Sequence, residues 1–163
     1  MTESLTALML IVTHWHNTAG IVAMGSITAV VLVRQKNWPG LRFLVVTLGG
    51  GMLLNVLLKL AFARSRPAFD DPVVSLASYS FPSGHAAGST LLYGTLTLLL
   101  ARQGHWQGRA LWAGSVMVVL VGISRVYLGA HYPSDVLAGV SVGLIWISVC
   151  RLVTGRQPPQ VAI

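Results

Sequence analysis

The sequence predicts an all-α, polytopic membrane helical bundle with five good spans and a short N-terminal helix. Three observations carry this. Hydrophobic residues make up 54% of the 163 residues and charged residues only 9%, whereas a soluble domain carries about a quarter charged. The apolar residues gather in runs close to the ~20 residues that cross a ~30 Å hydrocarbon core. The charges collect at the ends of those runs, so the net charge of +7 forms no stripe of the kind that binds nucleic acid.

The runs follow in order. Ser4 to Thr13 is apolar but too short for a span. It ends in His14-Trp15-His16, and reads as an interfacial or partly inserted helix with interfacial histidines. Thr18 to Val33 is the first good span, closed by a basic turn with Trp38-Pro39-Gly40. Leu41 to Leu60 is the second. Gly49-Gly50-Gly51 inside it permits close helix contact in lipid, and Asn55 reads as an interhelical hydrogen-bonding group. Ser83 to Ala101 is the third span, followed by a short basic loop from Arg102 to Arg109. Ala110 to Ile123 is the fourth, closed by Ser124 and Arg125. Tyr132-Pro133-Ser134 is a turn with a helix start, and Asp135 falls in the first helical turn, where a carboxylate is favoured. Val136 to Val153 is the fifth. One membrane domain is expected over 1–155, with a flexible Pro-containing tail over 156–163. No cleavable signal peptide is expected, because Glu3 precedes any early basic residue. Cys150 is the only cysteine, which rules out an intrachain disulfide.

If the spans alternate, Arg34, Lys36, Arg42, Arg102, Arg109, Arg151 and Arg156 share one side. Lys59, Arg64, Arg66 and Arg125 share the other, with Asp70, Asp71 and Asp135. The positive-inside rule puts the larger group in the cytoplasm. The outward-facing cations then need another reason to be there, and an anion supplies it. Lys59 and Arg66 are seven apart, nearly one face of a helix. Ser83 and Gly84 stand where a helix begins, with free backbone N–H groups. Arg125 adds a planar fork suited to phosphate. His131 and Asp135, four apart, form an oriented base or nucleophile, and His85 is placed as a general acid. Asp70 and Asp71 read as solvated loop carboxylates, so no metal is expected.

These residues form three motifs: Lys59, six residues, then Arg66-Pro67; Pro82-Ser83-Gly84-His85; and Ser124-Arg125, five residues, His131, three residues, Asp135. Their spacing resembles that of the PAP2 family of lipid phosphatases, related in fold to vanadium haloperoxidases, and all three match. The resemblance implies that His131 attacks phosphorus, Asp135 orients it, and His85 protonates the leaving group. It further implies that Lys59, Arg66, Ser83, Gly84 and Arg125 hold the phosphate oxygens without a cofactor. A six-helix core with an inside N-terminus is implied, so either Ser4 to Thr13 is a shortened first helix or the N-terminus lies outside. The expected activity is hydrolysis of a phospholipid or polyprenyl (pyro)phosphate, such as undecaprenyl pyrophosphate, phosphatidic acid or phosphatidylglycerol phosphate. The expected location is the bacterial inner membrane, with the site facing outward. The link from Pro67 to Pro82 is too short for a cap domain, which leaves a lipid tail free to enter sideways. The alternatives are a phosphotransferase to a lipid or sugar, a vanadate-dependent oxidant enzyme, and a non-catalytic membrane scaffold or transporter. The oligomeric state is left open.

Overall fold

The computed structural model describes residues 2–68, 74, 76–100 and 105–154. Asp70, Asp71, Arg102, Arg156 and the tail lie outside them. The elements are α1 (Glu3–Trp15), α2 (Thr18–Arg34), α3 (Trp38–Val45), α4 (Gly51–Phe62), α5 (Gly84–Leu99), α6 (His105–Tyr127) and α7 (Pro133–Val153). A π-helical turn, Val46–Gly50, joins α3 to α4 into one 25-residue helix. The chain is an integral membrane protein of all-α, polytopic architecture.

Local chemistry sets the helix limits. Asn17 and Asn37 cap α2 and α3 by accepting from the Gly20 and Gly40 amides, at 2.8 and 3.0 Å. Helix α4 ends where Ala63 takes a left-handed conformation, φ 44°. This corrects the expected helical face shared by Lys59 and Arg66, because Arg66 lies beyond the helix. Helix α6 starts at His105 and runs to Tyr127, so Arg109 belongs to the helix rather than to a loop.

Among the described residues, three helices are long and apolar enough to cross a membrane: Trp38–Phe62, Trp106–Tyr127 and Pro133–Val153. A fourth span is available if α1 and α2, bent by 52°, act as one. The expectation of five good spans thus exceeds what length supports. Helices α2 and α5 have 17 and 16 residues, which at about 1.5 Å per residue fall short of a ~30 Å core.

Helix α5 is the axis of the bundle and packs against α2, α4, α6 and α7. Its small residues let the others approach. A Cβ on Gly139 of α7 would lie 2.5 Å from the Ser83 carbonyl, and one on Gly143 would lie 2.8 Å from the Thr90 side chain. Such close backbone contact replaces the hydrophobic drive that lipid does not supply. Apolar side chains such as Ile27, Leu53, Trp112, Leu137 and Leu152 face outward, as expected of a lipid-facing surface.

The two ends of the bundle differ. At one end Leu32, Phe43, Leu44, Leu99 and Cys150 form a buried apolar cluster. At the other meet the C-termini of α4 and α6 and the N-termini of α5 and α7. Helix α1 lies at this second end: Thr6 Oγ1 is 3.2 Å from the Tyr127 hydroxyl, and Thr13 touches Arg125.

Candidate active site

The turn between α6 and α7 carries the histidine. Gly129 has φ 68°, a conformation glycine adopts without steric cost. It folds the chain back so that the Ala130 and His131 amides both donate to the Arg125 carbonyl, at 3.0 and 3.2 Å. Pro133 then opens α7, and Asp135 accepts from the Tyr132 amide at 3.0 Å. The capping carboxylate is therefore also the one beside His131.

Asp135 is fully buried and carries three further polar neighbours. Arg64 Nη1 donates to Oδ1 at 2.7 Å. Ser80 Oγ donates to Oδ2 at 2.5 Å. His131 Nδ1 stands 3.7 Å from Oδ2, beyond ordinary hydrogen-bond reach. On its other edge, His131 Nε2 lies 3.2 Å from Arg66 Nη1. Burial first, then the charges of Arg66, Arg125 and Lys59, push the His131 pKa down to about 3. The ring is thus neutral at ordinary pH, with one nitrogen unprotonated.

The cations are held differently from one another. Lys59 Nζ and Arg66 Nη2 both donate to the Tyr79 carbonyl, at 2.6 and 3.2 Å. They converge through this loop carbonyl, not through a common helix face. Arg66 also donates to the Ser78 carbonyl and the Ala130 carbonyl, each at 2.7 Å. Arg125 is 2% exposed, and its Nη1 donates to Thr13 Oγ1 at 2.5 Å. Its Nε and Nη2 are buried with no hydrogen-bond partner among the described residues. An unsatisfied buried guanidinium is costly unless a ligand completes it.

Ser83 caps α5 and its amide donates to the Asp135 carbonyl at 2.9 Å, which ties the α5 and α7 N-termini together. Gly84 leaves the next amide uncovered, with Asn55 Oδ1 3.4 Å and Lys59 Cε 3.8 Å from where a Cβ would stand. The interhelical bond expected of Asn55 is missing from its Nδ2, which is buried without a partner among the described residues. His85, in the first turn of α5, shares a cavity of about 510 Å³ with Arg125; Leu10, Ile11 and Thr13 of α1 and Leu76 form part of its wall. Its lining is mostly apolar, and Arg125 is its cation among the described residues.

All eight residues singled out in the sequence lie at this end of the bundle. Four contributors were not: Arg64, Ser80 and the Tyr79 carbonyl around the histidine, and Thr13 behind Arg125. Arg64 carried a signal, since it sits two residues from Arg66 in an apolar chain. The others are uncharged and far in sequence from their partners.

Residues 40–158 match the model of the PAP2 superfamily. Phosphatidylglycerophosphatase B of Bacillus subtilis is 43% identical over 116 residues, 68% of this chain and 56% of that protein. The undecaprenyl-diphosphatase of Sulfolobus acidocaldarius is 36% identical over 128 residues, 75% of this chain and 58% of that protein. The chain thus spans little more than half the length of these curated relatives. The crystal structure of a transmembrane PAP2 type phosphatidylglycerolphosphate phosphatase from Bacillus subtilis superposes with a TM-score of 0.78 at 34% identity, covering 94% of this chain and 78% of that one. The matched segment contains every one of the three motifs and the helices that present them, and the chain belongs to the PAP2 superfamily.

Proposed function

We propose that the protein is a membrane phosphatase that hydrolyses a lipid phosphate or pyrophosphate through a phosphohistidine on His131. The observation that carries this is Arg125: a buried guanidinium with two unpartnered nitrogens, opening on a cavity shared with His85. An oxyanion of phosphate supplies the missing acceptors.

In this reading His131 Nε2 attacks phosphorus. Lys59, Arg66, Arg125, the Ser83 hydroxyl and the Gly84 amide hold the non-bridging oxygens and stabilise the charge that builds on them. His85 gives a proton to the leaving oxygen, then takes one from the water that cleaves the phosphohistidine. Asp135 stabilises the charged imidazole between the two steps. Lys59 and Arg66 exchange the Tyr79 carbonyl for phosphate oxygen when substrate enters.

The relatives' names, a phosphatidylglycerophosphatase and an undecaprenyl-diphosphatase, support a lipid-linked substrate. So does the apolar wall of the cavity beside Arg125. Orientation follows from charge. Arg34, Lys36, Arg42, Arg109 and Arg151 belong to the end away from the site, which the positive-inside rule assigns to the cytoplasm. The site then faces the exterior or periplasm of a bacterial inner membrane. Helices α2, α3–α4, α5, α6 and α7 make five crossings in one domain over 1–155, with α1 on the outer side.

The test is phosphate release by the purified protein from a panel of phosphatidic acid, phosphatidylglycerol phosphate, undecaprenyl pyrophosphate and a short soluble phosphate ester. Long-chain lipids should be preferred, and His131→Ala should abolish release. Unchanged release by that variant would remove the mechanism.

A further inference from the structure

We infer that Ser80 is a positioning residue: its hydroxyl bridges His131 to Asp135 and fixes the proton on His131 Nδ1, leaving Nε2 as the reactive nitrogen. This rests on the reading of His131 as nucleophile and assigns the group that orients it.

The argument is one of hydrogen-bond accounting. His131 Nδ1 and Asp135 Oδ2 are 3.7 Å apart, too far for a direct bond. Ser80 Oγ lies 2.5 Å from that same Oδ2 and 3.4 Å from Nδ1. A carboxylate only accepts, so the single hydroxyl hydrogen of Ser80 is committed to Asp135. What the hydroxyl then offers His131 is a lone pair, and a lone pair can be met only by Nδ1–H. The opposite edge of the ring imposes the same answer. Arg66 Nη1 has only hydrogens to give, and it faces Nε2 at 3.2 Å. An Nε2–H would point a hydrogen at a guanidinium hydrogen. Both neighbours select one tautomer, with Nε2 unprotonated and its lone pair facing Arg66 Nη1.

Ser80 is itself held in place. It is fully buried, and its amide donates to the Arg64 carbonyl at 2.8 Å. Arg64 in turn grips the other oxygen of Asp135 at 2.7 Å. The carboxylate is thereby kept as an acceptor on both sides. When Nε2 carries a phosphoryl group the ring is cationic. Its Nδ1–H then stays bonded to Ser80, with the charge of Asp135 one hydroxyl away.

The experiment has two readouts on the full chain in detergent. The first is 15N NMR of histidine-labelled wild-type protein at pH 7, with the His131 signal among the five histidines found by subtraction of the His131→Gln spectrum. Wild type should show protonated Nδ1 and bare Nε2, and Ser80→Ala, which removes one of the two selecting contacts and leaves Arg66, should raise the fraction protonated on Nε2 above that of wild type. A wild-type ring protonated on Nε2 overturns the inference. The second is phosphate release from dioleoyl phosphatidic acid. Ser80→Ala should lower kcat by about tenfold to a hundredfold with KM within about twofold, which a merely structural role would not produce. Ser80→Ala with wild-type kcat overturns the bridge, while activity surviving in His131→Ala overturns the nucleophile instead. The wild-type spectrum stands whether or not the alanine variant folds.

Discussion

Arg64 Nη1 sits 2.7 Å from Asp135 Oδ1 while its guanidinium lies over the Tyr132 ring, 4.3 Å from the centroid. This one side chain ties the segment leaving α4 to the first turn of α7. Arg64→Ala would leave a buried carboxylate with one oxygen unmatched. The expected cost is about 1–3 kcal/mol of stability, together with a loss of kcat as Asp135 shifts. Thermal unfolding in detergent and phosphate release measure the two effects. Arg64→Lys should recover the charge but not the stacking, and so restore only part of each.

The resting His131 ring should titrate far below an ordinary histidine. Its pKa is pushed down to about 3 by burial and by Arg66, Arg125 and Lys59, whereas the unfolded chain titrates near 6.5. Between those values the unfolded state binds a proton that the folded state refuses. The group's contribution to stability is therefore full above about pH 6.5 and declines as pH falls towards 3. A 15N NMR titration from pH 7.5 to 5 should show His131 neutral throughout. Arg66→Ala should raise the midpoint, and a wild-type midpoint near 6.5 would contradict the electrostatic account.

Thr13→Val should act on binding more than on turnover. The hydroxyl accepts from Arg125 Nη1 at 2.5 Å, and valine keeps the shape while removing the acceptor. A guanidinium with a third unmatched nitrogen costs about 1–3 kcal/mol to keep in place. KM for the lipid should rise by about threefold to thirtyfold with a smaller change in kcat. An unchanged KM would mean that α1 does not position Arg125.

The helices and the three motifs were readable for the same reason: a charge or a histidine stands out in an apolar chain. What escaped was of two kinds. Ser80 and Thr13 carry no charge, and their partners lie 55 and 112 residues away, so nothing local marks them. The other kind is backbone geometry. Lys59 and Arg66 are spaced as if on one helix, but Ala63 turns left-handed between them, with no glycine or proline to announce it. The count of spans is supported in part: three helices, or four with α1 and α2 taken together, are long and apolar enough among the described residues, while α2 and α5 are helical where expected but shorter. Asn55 reads in the sequence as an interhelical hydrogen-bonding group, but its buried Nδ2 has no partner among the described residues.

The gathering of every site cation at one end of the bundle bears on kinetics in the membrane. Under the proposed function, such an enzyme would sample only the leaflet on that side and would meet its substrate by lateral diffusion in two dimensions. Its rate is then set by the mole fraction of substrate in that leaflet, not by bulk concentration. Diluting the substrate with inert phospholipid at constant total substrate should slow it, and substrate held in the opposite leaflet should be spared until something flips it across.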